Sequence, residues 1–279
     1  MAPTQSTAIV TGASAGIGLY TALGLAERGM RVVMVGRDAA RTEAAQRFVA
    51  ARGKTAPETA LADFASLAAV RALAATLLAR CDRIDVLINN AGLITPHRAR
   101  SADGIEMTIA VNHLAPFLLT NLLLDRLKAS APSRIVNVAS TAHRGSWLDP
   151  STMADPPEWT PLSAYGRSKL CNILFTRALA RRLAGTGVVA ACLHPGVIAT
   201  DIGNRAGGLA SLGWRIAKPF LKSARQGAAT SLFLAAVPDP TPFAGTYVVG
   251  RKIAEPDRAA RDDRLGEQLW TESARLVGL

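Results

Sequence analysis

Short apolar runs alternate along this chain with longer stretches in which apolar residues recur every three or four positions. The short runs predict strands buried on both faces of a parallel sheet, and the longer stretches predict half-buried helices. Predicted strands cover residues 7–11, 31–35, 59–62, 84–88, 134–138, 188–193 and 245–249. The first predicted helix follows residue 18 and ends near residue 28. The other predicted helices cover residues 39–51, 66–79, 104–129, 162–184, 224–236 and 262–276. The alternation predicts an α/β fold: a single Rossmann-type, doubly wound parallel sheet of about seven strands with helices on both faces.

Composition sets the broad class of the protein. At 279 residues and 49% hydrophobic content, the chain can bury one large core. Residues 1–6 lack the regions of a secretory signal, and no apolar run reaches the roughly 18 residues of a membrane span, so we expect a cytoplasmic protein. The cysteines Cys81, Cys171 and Cys192 are far apart in sequence, so neither a disulfide framework nor a metal site is predicted.

The formal net charge of +11 suggests an anionic partner. No long basic run and no aromatic-rich strand of the RNA-binding kind is present, so we predict no nucleic-acid partner. Solvated helix faces are the expected place of most arginines, among them Arg41, Arg47, Arg52, Arg71, Arg80, Arg177, Arg181 and Arg182. A small anionic ligand fits the charge better than a polymer.

A glycine-rich loop, Gly12-Ala-Ser-Ala-Gly-Ile-Gly18, separates the first predicted strand from the first predicted helix. Glycines allow the backbone to turn sharply and to approach a pyrophosphate, and the amides at the start of the helix favour its negative charge. We predict that this loop binds the phosphates of a dinucleotide and that Gly18 allows close helix packing. The predicted contacts are Gly12, Ser14, Gly16, Ile17 and Gly18.

The second predicted strand ends at Arg37 and Asp38, where a dinucleotide fold meets the adenosine ribose. An acidic residue there binds the 2′-hydroxyl of NAD, whereas an arginine pairs with the 2′-phosphate of NADP. Asp38 is also placed to cap the next helix, which leaves Arg37 to select NADP(H) over NAD(H). The alternative for Arg37 is a solvated loop charge.

Polar and small residues also follow the third and fourth predicted strands. Asp63 would either contact the adenine or cap the next helix. Asn89 would brace neighbouring strands through its amide, while Ala91 and Gly92 leave room for a cofactor at the carboxyl edge of the sheet. An ordinary turn at residues 89–92 is the competing interpretation.

Three further polar residues lie between the fourth and fifth predicted strands or just after them. Asn112 is in the middle of a predicted helix, where it is unfavourable unless its amide has a partner. Its neighbour His113 is predicted to be packed rather than catalytic. Ser140 places a hydroxyl at the carboxyl end of the fifth strand, where ligands bind in open parallel sheets.

Tyr165 and Lys169 lie four residues apart in the predicted helix 162–184, so their side chains share one face. A phenol with a pKa of about 10 is a poor acid or base at neutral pH, but a cation a few ångströms away lowers this pKa by roughly one to three units. The pair is therefore predicted to transfer protons. Tyrosine and lysine also occur at this spacing by chance on many helices.

Two stretches interrupt the alternation of strands and helices. Residues 147–161 are rich in proline and tryptophan, and residues 203–221 are rich in glycine with an amphipathic end. Both follow the carboxyl edge of the predicted sheet, so their apolar residues, including Trp147, Leu148 and Trp159, are expected to close over a substrate. We predict one dinucleotide-binding catalytic domain over residues 1–279, with a substrate flap near 199–222 and a C-terminal extension over 251–279. The alternative for the flap is a weak contact with a membrane surface.

These motifs occur in the order found in the short-chain dehydrogenase/reductase family, which the chain resembles from about residue 7 to residue 250. They are Thr11-Gly-x-x-x-Gly-x-Gly18, Asn89-Asn-Ala-Gly92, Asn112, Ser140, Tyr165-x-x-x-Lys169 and Pro195-Gly196. Within the family, residues 168–175 and 194–197 are similar to the retinol-dehydrogenase-like branch, whose members mostly use NADP(H).

The resemblance implies a role for each catalytic residue. Tyr165 would donate a proton to a carbonyl oxygen in reduction or remove one from an alcohol in oxidation. Lys169 would hold the nicotinamide ribose and lower the pKa of the phenol. Ser140 would hydrogen-bond the oxygen that becomes negative, and Asn112 would hold a water that relays protons. Further cofactor contacts would come from Asp63, Asn89, Ala91, Gly92, Pro195, Gly196, Val197 and Thr200.

The sequence therefore predicts an NADP(H)-dependent oxidoreductase that transfers a hydride to or from a small apolar carbonyl or alcohol substrate. The alternative is a non-catalytic NADP-binding redox sensor on the same fold, although such proteins usually lose the tyrosine or the lysine. Apolar helix positions such as those in residues 118–127 would suit a homodimer.

Overall fold

The computed structural model of the protein describes residues 5–196 and 223–279, and its elements alternate as predicted. The strands are β1 (Thr7–Thr11), β2 (Arg31–Gly36), β3 (Glu58–Leu61), β4 (Val86–Asn89), β5 (Ser133–Val138), β6 (Val188–His194), β7 (Tyr247–Val249) and β8 (Lys252–Ala254). The α-helices are α1 (Gly16–Ala26), α2 (Ala39–Ala50), α3 (Leu67–Arg80), α4 (Met107–Ile109), α5 (Ala115–Ala129), α6 (Pro161–Arg182), α7 (Ala224–Ala236) and α8 (Asp263–Val277). A π-helical turn, Ala110–Leu114, joins α4 to α5.

All the strands belong to one sheet with the order β3-β2-β1-β4-β5-β6-β7-β8. Neighbouring strands are parallel except for β7 and β8, and the doubly wound prediction is confirmed. The sheet has one strand more than the predicted seven or so. The additional strand β8 has only three residues, and it follows a tight turn in which Gly250 and Arg251 have positive φ angles of 58° and 68°. So short an edge strand carries too few apolar residues to be recognised from the pattern.

The sheet separates two hydrophobic cores. Helices α1, α2 and α7 cover one face, and α3, α5, α6 and α8 cover the other. Successive residues of a strand point to opposite faces, so Ile9 belongs to one core and Val10 to the other, and both are fully buried. Strands covered on both sides are mostly apolar, which explains why the short apolar runs predicted them correctly.

Side-chain caps fix where most of the helices begin. The side chain of each capping residue accepts a hydrogen bond from a backbone N–H in the first turn, which satisfies a donor that the helix itself leaves unpaired. This arrangement occurs at α2, α3, α6, α7 and α8, where the caps are Asp38, Ser66, Thr160, Ser223 and Asp262.

The helical stretch Met107–Ala129 is the one part of the described chain long and apolar enough to cross a membrane. Within its most apolar window, 78% is buried inside the domain, as is usual for the core helix of a folded domain. Four α5 leucines in the stretch that the sequence offered for a homodimer are fully buried in the chain's own core: Leu118, Leu119, Leu123 and Leu127. Leu122 and Leu124 of the same stretch are partly exposed, so the homodimer stays a prediction.

The C-terminal helix α8 packs along α6 through ion pairs and aromatic contacts. Arg181 and Arg182 of α6 donate to Glu267 of α8 at 2.7 and 2.5 Å. Hydrogen bonds from Arg182 and Arg181 lower the pKa of this carboxyl to about 2. At the end of α8, Arg71 of α3 donates to the Val277 carbonyl at 2.5 Å. These arginines therefore hold helices together while remaining exposed, so their predicted place on solvated helix faces is confirmed.

His113 connects the π-helical turn to α8. The ring is fully buried, with Nε2 at 2.8 Å from Ser273 Oγ. Burial lowers its pKa to about 3. The ring is therefore neutral at physiological pH, and the prediction of a packed histidine is confirmed.

Stability should fall on acidification in a way that depends on His113. Below its ordinary pKa of 6.5 the unfolded chain binds a proton on this ring, whereas the folded chain stays neutral down to about pH 3. The stabilisation is complete above pH 6.5, and about 2 kcal/mol of it is lost by pH 5. Urea unfolding of the wild type and of His113→Gln at pH 7.5 and pH 5 measures this loss. The variant should lose about 2 kcal/mol less than the wild type between these pH values; equal losses would contradict a buried neutral ring.

Candidate active site

The site lies where β1, β4 and β5 end at the carboxyl edge of the sheet. Thr11 joins the first two of these ends, because its Oγ1 donates to the Ile88 carbonyl at 3.2 Å and accepts from the backbone N–H groups of Asn90 and Ala91, both at 3.0 Å. The Asn90 amide donates to the Thr11 carbonyl at 2.9 Å. The contacts of Asn90 were not predicted, although its place in the Asn-Asn-Ala-Gly motif was a signal for them.

The glycine loop runs so close to β4 that side chains are excluded. Gly12 has a φ of +66°, and a Cβ there would lie 2.8 Å from the Ala91 Cα. A Cβ on Gly18 would lie 2.3 Å from the Gly12 carbonyl oxygen. Because Gly18 has no side chain, α1 can begin at this point, directly against the glycine loop. At both positions a nearby backbone atom excludes a side chain, so glycine is required there. This agrees with the predicted close packing at Gly18.

The start of α1 differs from the capped starts of α2, α3, α6, α7 and α8. Ala15 occupies the capping position and offers no side-chain acceptor, and the first turn contains no acidic residue. The side chain of Ser14 is partly exposed and makes no hydrogen bond within the described part of the chain. Backbone donors and a hydroxyl beside a glycine loop fit the phosphates of a dinucleotide. Gly16, with a φ of 57°, and Ile17 lie in the same turn.

Arg37 and Asp38 follow β2, as predicted, and they have different surroundings. The Asp38 carboxylate accepts a hydrogen bond from the Arg41 backbone N–H at 2.8 Å and caps α2, which confirms the structural role predicted for it. The exposed Arg37 side chain forms no ion pair or hydrogen bond with any described residue. Its guanidinium is therefore available to an anionic group at this edge of the sheet.

Asp63 is exposed at the end of β3 and does not cap α3. Its Oδ1 accepts from the Ala65 backbone N–H at 3.0 Å, whereas Ser66 is the capping residue of the helix. The capping alternative was therefore wrong, because the chain makes an additional turn before the helix begins. A contact between Asp63 and an adenine stays a prediction.

Asn89 braces the sheet beneath the site, as predicted. Its Nδ2 donates to Asn137 Oδ1 on β5 at 2.8 Å and to Thr120 Oγ1 on α5 at 2.9 Å. Asn137 in turn donates to Thr176 Oγ1 on α6 at 2.9 Å. All four side chains are buried, so this network supports the site from below and leaves Ala91 and Gly92 at its surface.

Gly92 lies beside two of the predicted catalytic side chains. A Cβ at this position would lie 3.4 Å from Asn112 Oδ1 and 3.6 Å from Lys169 Nζ. These are ordinary contact distances, so a side chain at this position would not clash with its neighbours. The glycine nevertheless leaves the space next to the lysine ammonium open. The structure thus brings together the loop after β4, the π-helical turn and α6.

The π-helical turn places Asn112 where the sequence predicted a regular helix. In an α-helix, the carbonyl of residue 112 would accept from the N–H of residue 116, but residue 116 is a proline and has none. Pro116 therefore leaves the Asn112 carbonyl without its α-helical donor. Turns of this kind are frequent at functional sites. The spacing between the asparagine and the proline was the signal that could have revealed the irregular turn.

The side chain of Asn112 ties the loop after β4 to α6. Its Oδ1 accepts from the Leu93 N–H at 2.8 Å, and its Nδ2 donates to the Leu93 carbonyl at 2.9 Å and to Ser168 Oγ at 3.0 Å. Ser168 donates to the Tyr165 carbonyl at 2.7 Å, so Asn112 connects indirectly to the backbone of the tyrosine. This role of Ser168 was missed; a buried serine one residue before the lysine was its signal.

The side chains of Tyr165 on α6 and Ser140 at the end of β5 lie close together. Burial raises the pKa of Tyr165, and the nearby Ser140 hydroxyl opposes this rise without cancelling it. The lysine Nζ lies 5.4 Å from the centroid of the tyrosine ring. In the chain by itself, burial is the larger influence on this pKa. The lowering that the resemblance implies for Lys169 acting together with a positive nicotinamide stays a prediction.

Lys169 is buried beneath the tyrosine. Its Nζ donates to the Val138 carbonyl at the end of β5, at 3.0 Å, and burial lowers its pKa to about 8. Only 3% of the residue is exposed, so the ammonium group has few partners other than this carbonyl and whatever occupies the space beside Gly92. A lysine in this position can bind hydroxyl groups of a ligand through its remaining N–H donors.

The turn that follows Ser140 packs directly on α6. A Cβ on Gly166, next to the tyrosine, would lie 2.4 Å from Ser146 Oγ and 2.6 Å from the Ala142 carbonyl oxygen. His194, at the end of β6, accepts from the Thr141 backbone N–H at 3.3 Å. The glycine after Tyr165 is therefore needed for Ser140 to lie close to the phenol.

The segment 147–161 is more firmly attached than a closing flap would be. Leu148 is only 5% exposed and belongs to the core, and Trp159 Nε1 donates to the buried Glu106 at 3.0 Å. Asp155 forms ion pairs with Arg98 and Arg100 of the loop before α4. The structure places Trp159 and Leu148 in fixed contacts, so the prediction that they move over a substrate is not supported. Trp147, at 65% exposed, is different.

Several predicted residues have no described surroundings. Val197, Thr200 and the flap near residues 199–222 lie outside the described residues. Pro195 and Gly196 are the last described residues after β6, and both are partly exposed at the carboxyl edge of the sheet. Their contacts with a cofactor stay a prediction.

A glycine loop before an uncapped helix and a Ser-Tyr-Lys group at the neighbouring strand end define a class: the Rossmann-type, dinucleotide-binding oxidoreductases. The short chain dehydrogenase family model matches residues 6–208, and the chain belongs to that family. Retinol dehydrogenase 13 of Homo sapiens is 42% identical to it over 286 residues, covering 98% of this chain and 85% of the relative. The similarity to the retinol-dehydrogenase-like branch is thus confirmed.

Solved structures agree with this family. An uncharacterized protein from Mycobacterium paratuberculosis superposes with a TM-score of 0.81 at 34% identity, covering 98% of this chain and 94% of the other. A short chain dehydrogenase from Burkholderia cenocepacia in complex with NADP has a TM-score of 0.70 at 28% identity, covering 88% and 95%.

Proposed function

We propose that the chain is an NADP(H)-dependent oxidoreductase that reduces a carbonyl group of an apolar substrate by hydride transfer. The observation that carries this proposal is the cluster at the end of β5. There, the Ser140 hydroxyl lies close to the Tyr165 phenol, and Lys169 is buried beneath the phenol ring. A nicotinamide bound beside this cluster would supply the hydride.

Tyr165 is suited to act as the acid of a reduction. Burial raises the pKa of the phenol, so it carries its proton at neutral pH and can donate it to a carbonyl oxygen. The Ser140 hydroxyl lies close to this phenol, so it is placed near the same substrate oxygen and can stabilise the charge that develops there. The raised pKa favours reduction over oxidation in the chain by itself.

Lys169 would contribute charge and binding. With its pKa lowered to about 8, the side chain remains mostly protonated at neutral pH while being able to exchange a proton. The space beside Gly92 leaves its Nζ accessible to the ribose of a nicotinamide nucleotide. The Asn112 carbonyl, which Pro116 deprives of its helical donor, is a suitable acceptor for a water that relays protons to this lysine.

The preference for NADP(H) is supported by the edge residues of β2. The Asp38 carboxylate caps α2, and Arg37 has no partner in the described chain, so the free charge at this edge is positive. A guanidinium there matches a 2′-phosphate. The related Burkholderia protein named above was solved with NADP, which agrees with this choice.

An apolar substrate is supported by exposed apolar side chains near the site. Trp147 follows the Ser140 turn and is 65% exposed, and Leu162 in the first turn of α6 is 70% exposed. The relative named retinol dehydrogenase 13 points to the same chemical class. We place this activity in the cytoplasm and in one catalytic domain of residues 1–279, with a substrate flap near 199–222.

Consumption of NADPH with a panel of aldehydes, ketones and quinones tests the proposal. Turnover is expected to be highest for apolar carbonyl compounds, retinal among them, and lower with NADH than with NADPH. Absorbance at the nicotinamide wavelength gives the rate directly. Tight binding of NADPH without turnover of any carbonyl would instead favour the redox-sensor alternative.

A further inference from the structure

The His143 side chain is hydrogen-bonded to the backbone carbonyl of Ser140, the proposed catalytic serine. The ring is fully buried, and its Nδ1 lies 2.6 Å from the Ser140 carbonyl oxygen. On the other side, the Asp257 backbone N–H donates to its Nε2 at 3.1 Å. The imidazole therefore bridges the turn after β5 and the chain after β8.

These two contacts fix which ring nitrogen carries the proton. A backbone amide can only donate, so Nε2 must be the unprotonated acceptor. The proton of the neutral ring is then on Nδ1, where it donates to the Ser140 carbonyl. Burial lowers the pKa of His143, which favours this neutral form over an imidazolium.

The chain after β8 holds the same turn at two more points. Gly145 donates its backbone N–H to the Asp257 carboxylate at 2.7 Å, and Arg144 donates to the Glu255 carbonyl at 3.0 Å. The ring of Tyr247 packs edge-on against His143 at a centroid distance of 5.2 Å. Residues 255–257 lie beyond residues 6–208, the part that the family model matches. This clamp is thus contributed by the C-terminal extension.

The clamped carbonyl belongs to the residue whose hydroxyl contacts the tyrosine. Ser140 Oγ accepts from the Ala142 N–H at 3.2 Å and lies close to the Tyr165 phenol. A different direction of the Ser140 carbonyl would change the course of the turn that follows it, and with it the position of the Ala142 N–H that holds the hydroxyl. The donor on His143 opposes such a change, because it fixes the carbonyl direction.

We propose that His143 is a positioning residue for the reduction, which sets the orientation of the Ser140 hydroxyl against Tyr165 by linking it to the C-terminal segment Glu255–Asp257. The inference rests on the proposed function for its effect on rate. It goes beyond that function because it assigns part of the catalytic geometry to residues that make no contact with the reacting atoms.

A matched pair of variants tests the proposal. In His143→Asn an amide N–H can take the place of Nδ1 and donate to Ser140, whereas His143→Gln has its amide near Nε2 and can only replace the contact with Asp257. We expect His143→Gln to lower kcat about 10- to 100-fold with NADPH affinity unchanged, and His143→Asn to retain most of the wild-type kcat. Both variants remain polar and similar in size to histidine, so both should fold.

A double-mutant cycle shows whether the effect acts through the serine. In a Ser140→Ala background, His143→Gln should cause no further loss of kcat, since the hydroxyl that it positions is already absent. A further loss as large as in the wild type, or equal losses for the Asn and Gln variants, would overturn the proposal in favour of a merely structural histidine.

A readout that needs no turnover separates this inference from the proposed function. The nearby Ser140 hydroxyl opposes the rise in the pKa of Tyr165, so its displacement or loss should raise that pKa. In NMR spectra with carbon-13 labelled tyrosine, the Tyr165 signal should titrate at higher pH in His143→Gln and in Ser140→Ala, but not in His143→Asn. An unchanged titration in His143→Gln would refute the positioning role even if carbonyl reduction is confirmed. The expected shift would support it even if no carbonyl substrate is found.

Discussion

Replacement of Tyr165 by phenylalanine is expected to leave NADPH binding nearly unchanged and to lower kcat by about 10² to 10⁴. The hydroxyl lies close to Ser140 at the reacting end of the site, whereas the phosphates of the cofactor are expected at the loop Gly12–Gly18, at the other end. The lost oxygen removes the proton donor while the ring still fills its place on α6. Stopped-flow or steady-state NADPH oxidation measures kcat, and fluorescence titration measures the affinity.

Tyr20→Phe is the matched control for this experiment. Tyr20 lies on α1 and packs edge-on against Phe48 at a centroid distance of 6.2 Å, so the same chemical change is made outside the proposed site. The control should keep its wild-type kcat. If Tyr165→Phe also kept most of its activity, the proton would have to come from another group, and the proposed mechanism would be wrong.

The second large effect is expected for cofactor choice. Arg37→Ala should weaken NADPH binding by about 1.5 to 3 kcal/mol, which is about 10- to 150-fold in Kd, and leave NADH binding almost unchanged. The reason is the loss of a charge-assisted contact to the 2′-phosphate, which NADH does not have. Isothermal titration with both cofactors measures the difference. The dependence of the NADPH affinity on salt concentration should also be weaker in the variant.

Arg47→Ala serves as the control for net charge. Arg47 is also exposed and lies near the other end of α2, where its distance of 4.0 Å to Glu43 makes only a weak ion pair. The change removes the same charge without reaching the end of β2. Equal weakening of NADPH and NADH in Arg37→Ala, or equal effects of the two substitutions, would show that Arg37 does not read the phosphate.

Much of the fold could be predicted because its strands are covered on both faces. A strand with that environment is mostly apolar, and the helix pattern differs from it clearly, so the order of elements was correct. The edge strand β8 could not be predicted, because Lys252 and Ile253 are exposed and the strand depends on pairing with β7. Its existence is a tertiary effect and not a local preference.

The site was predicted less completely than the fold. Motif spacing placed Ser140, Tyr165 and Lys169 together correctly, since each lies at a strand end or on one helix face. The raised pKa of the phenol was not predicted, because the cost of burial depends on packing that the sequence does not display. The contacts of His143 were also missed, because their partner Asp257 is distant in sequence.

The asparagine pair under the site has a further consequence for folding. Asn89 and Asn137 lie directly opposite each other on β4 and β5 and are joined by a hydrogen bond of 2.8 Å. The apolar residues of strands that are buried on both faces do little to define the register between neighbouring strands. Most shifted registers would bury side chains that are equally apolar. A slip of one residue would turn each amide toward the opposite face, and each unpaired amide would cost about 1 to 3 kcal/mol. The hydrogen-bonded pair Asn89–Asn137 therefore favours one register of β4 and β5 while the sheet forms.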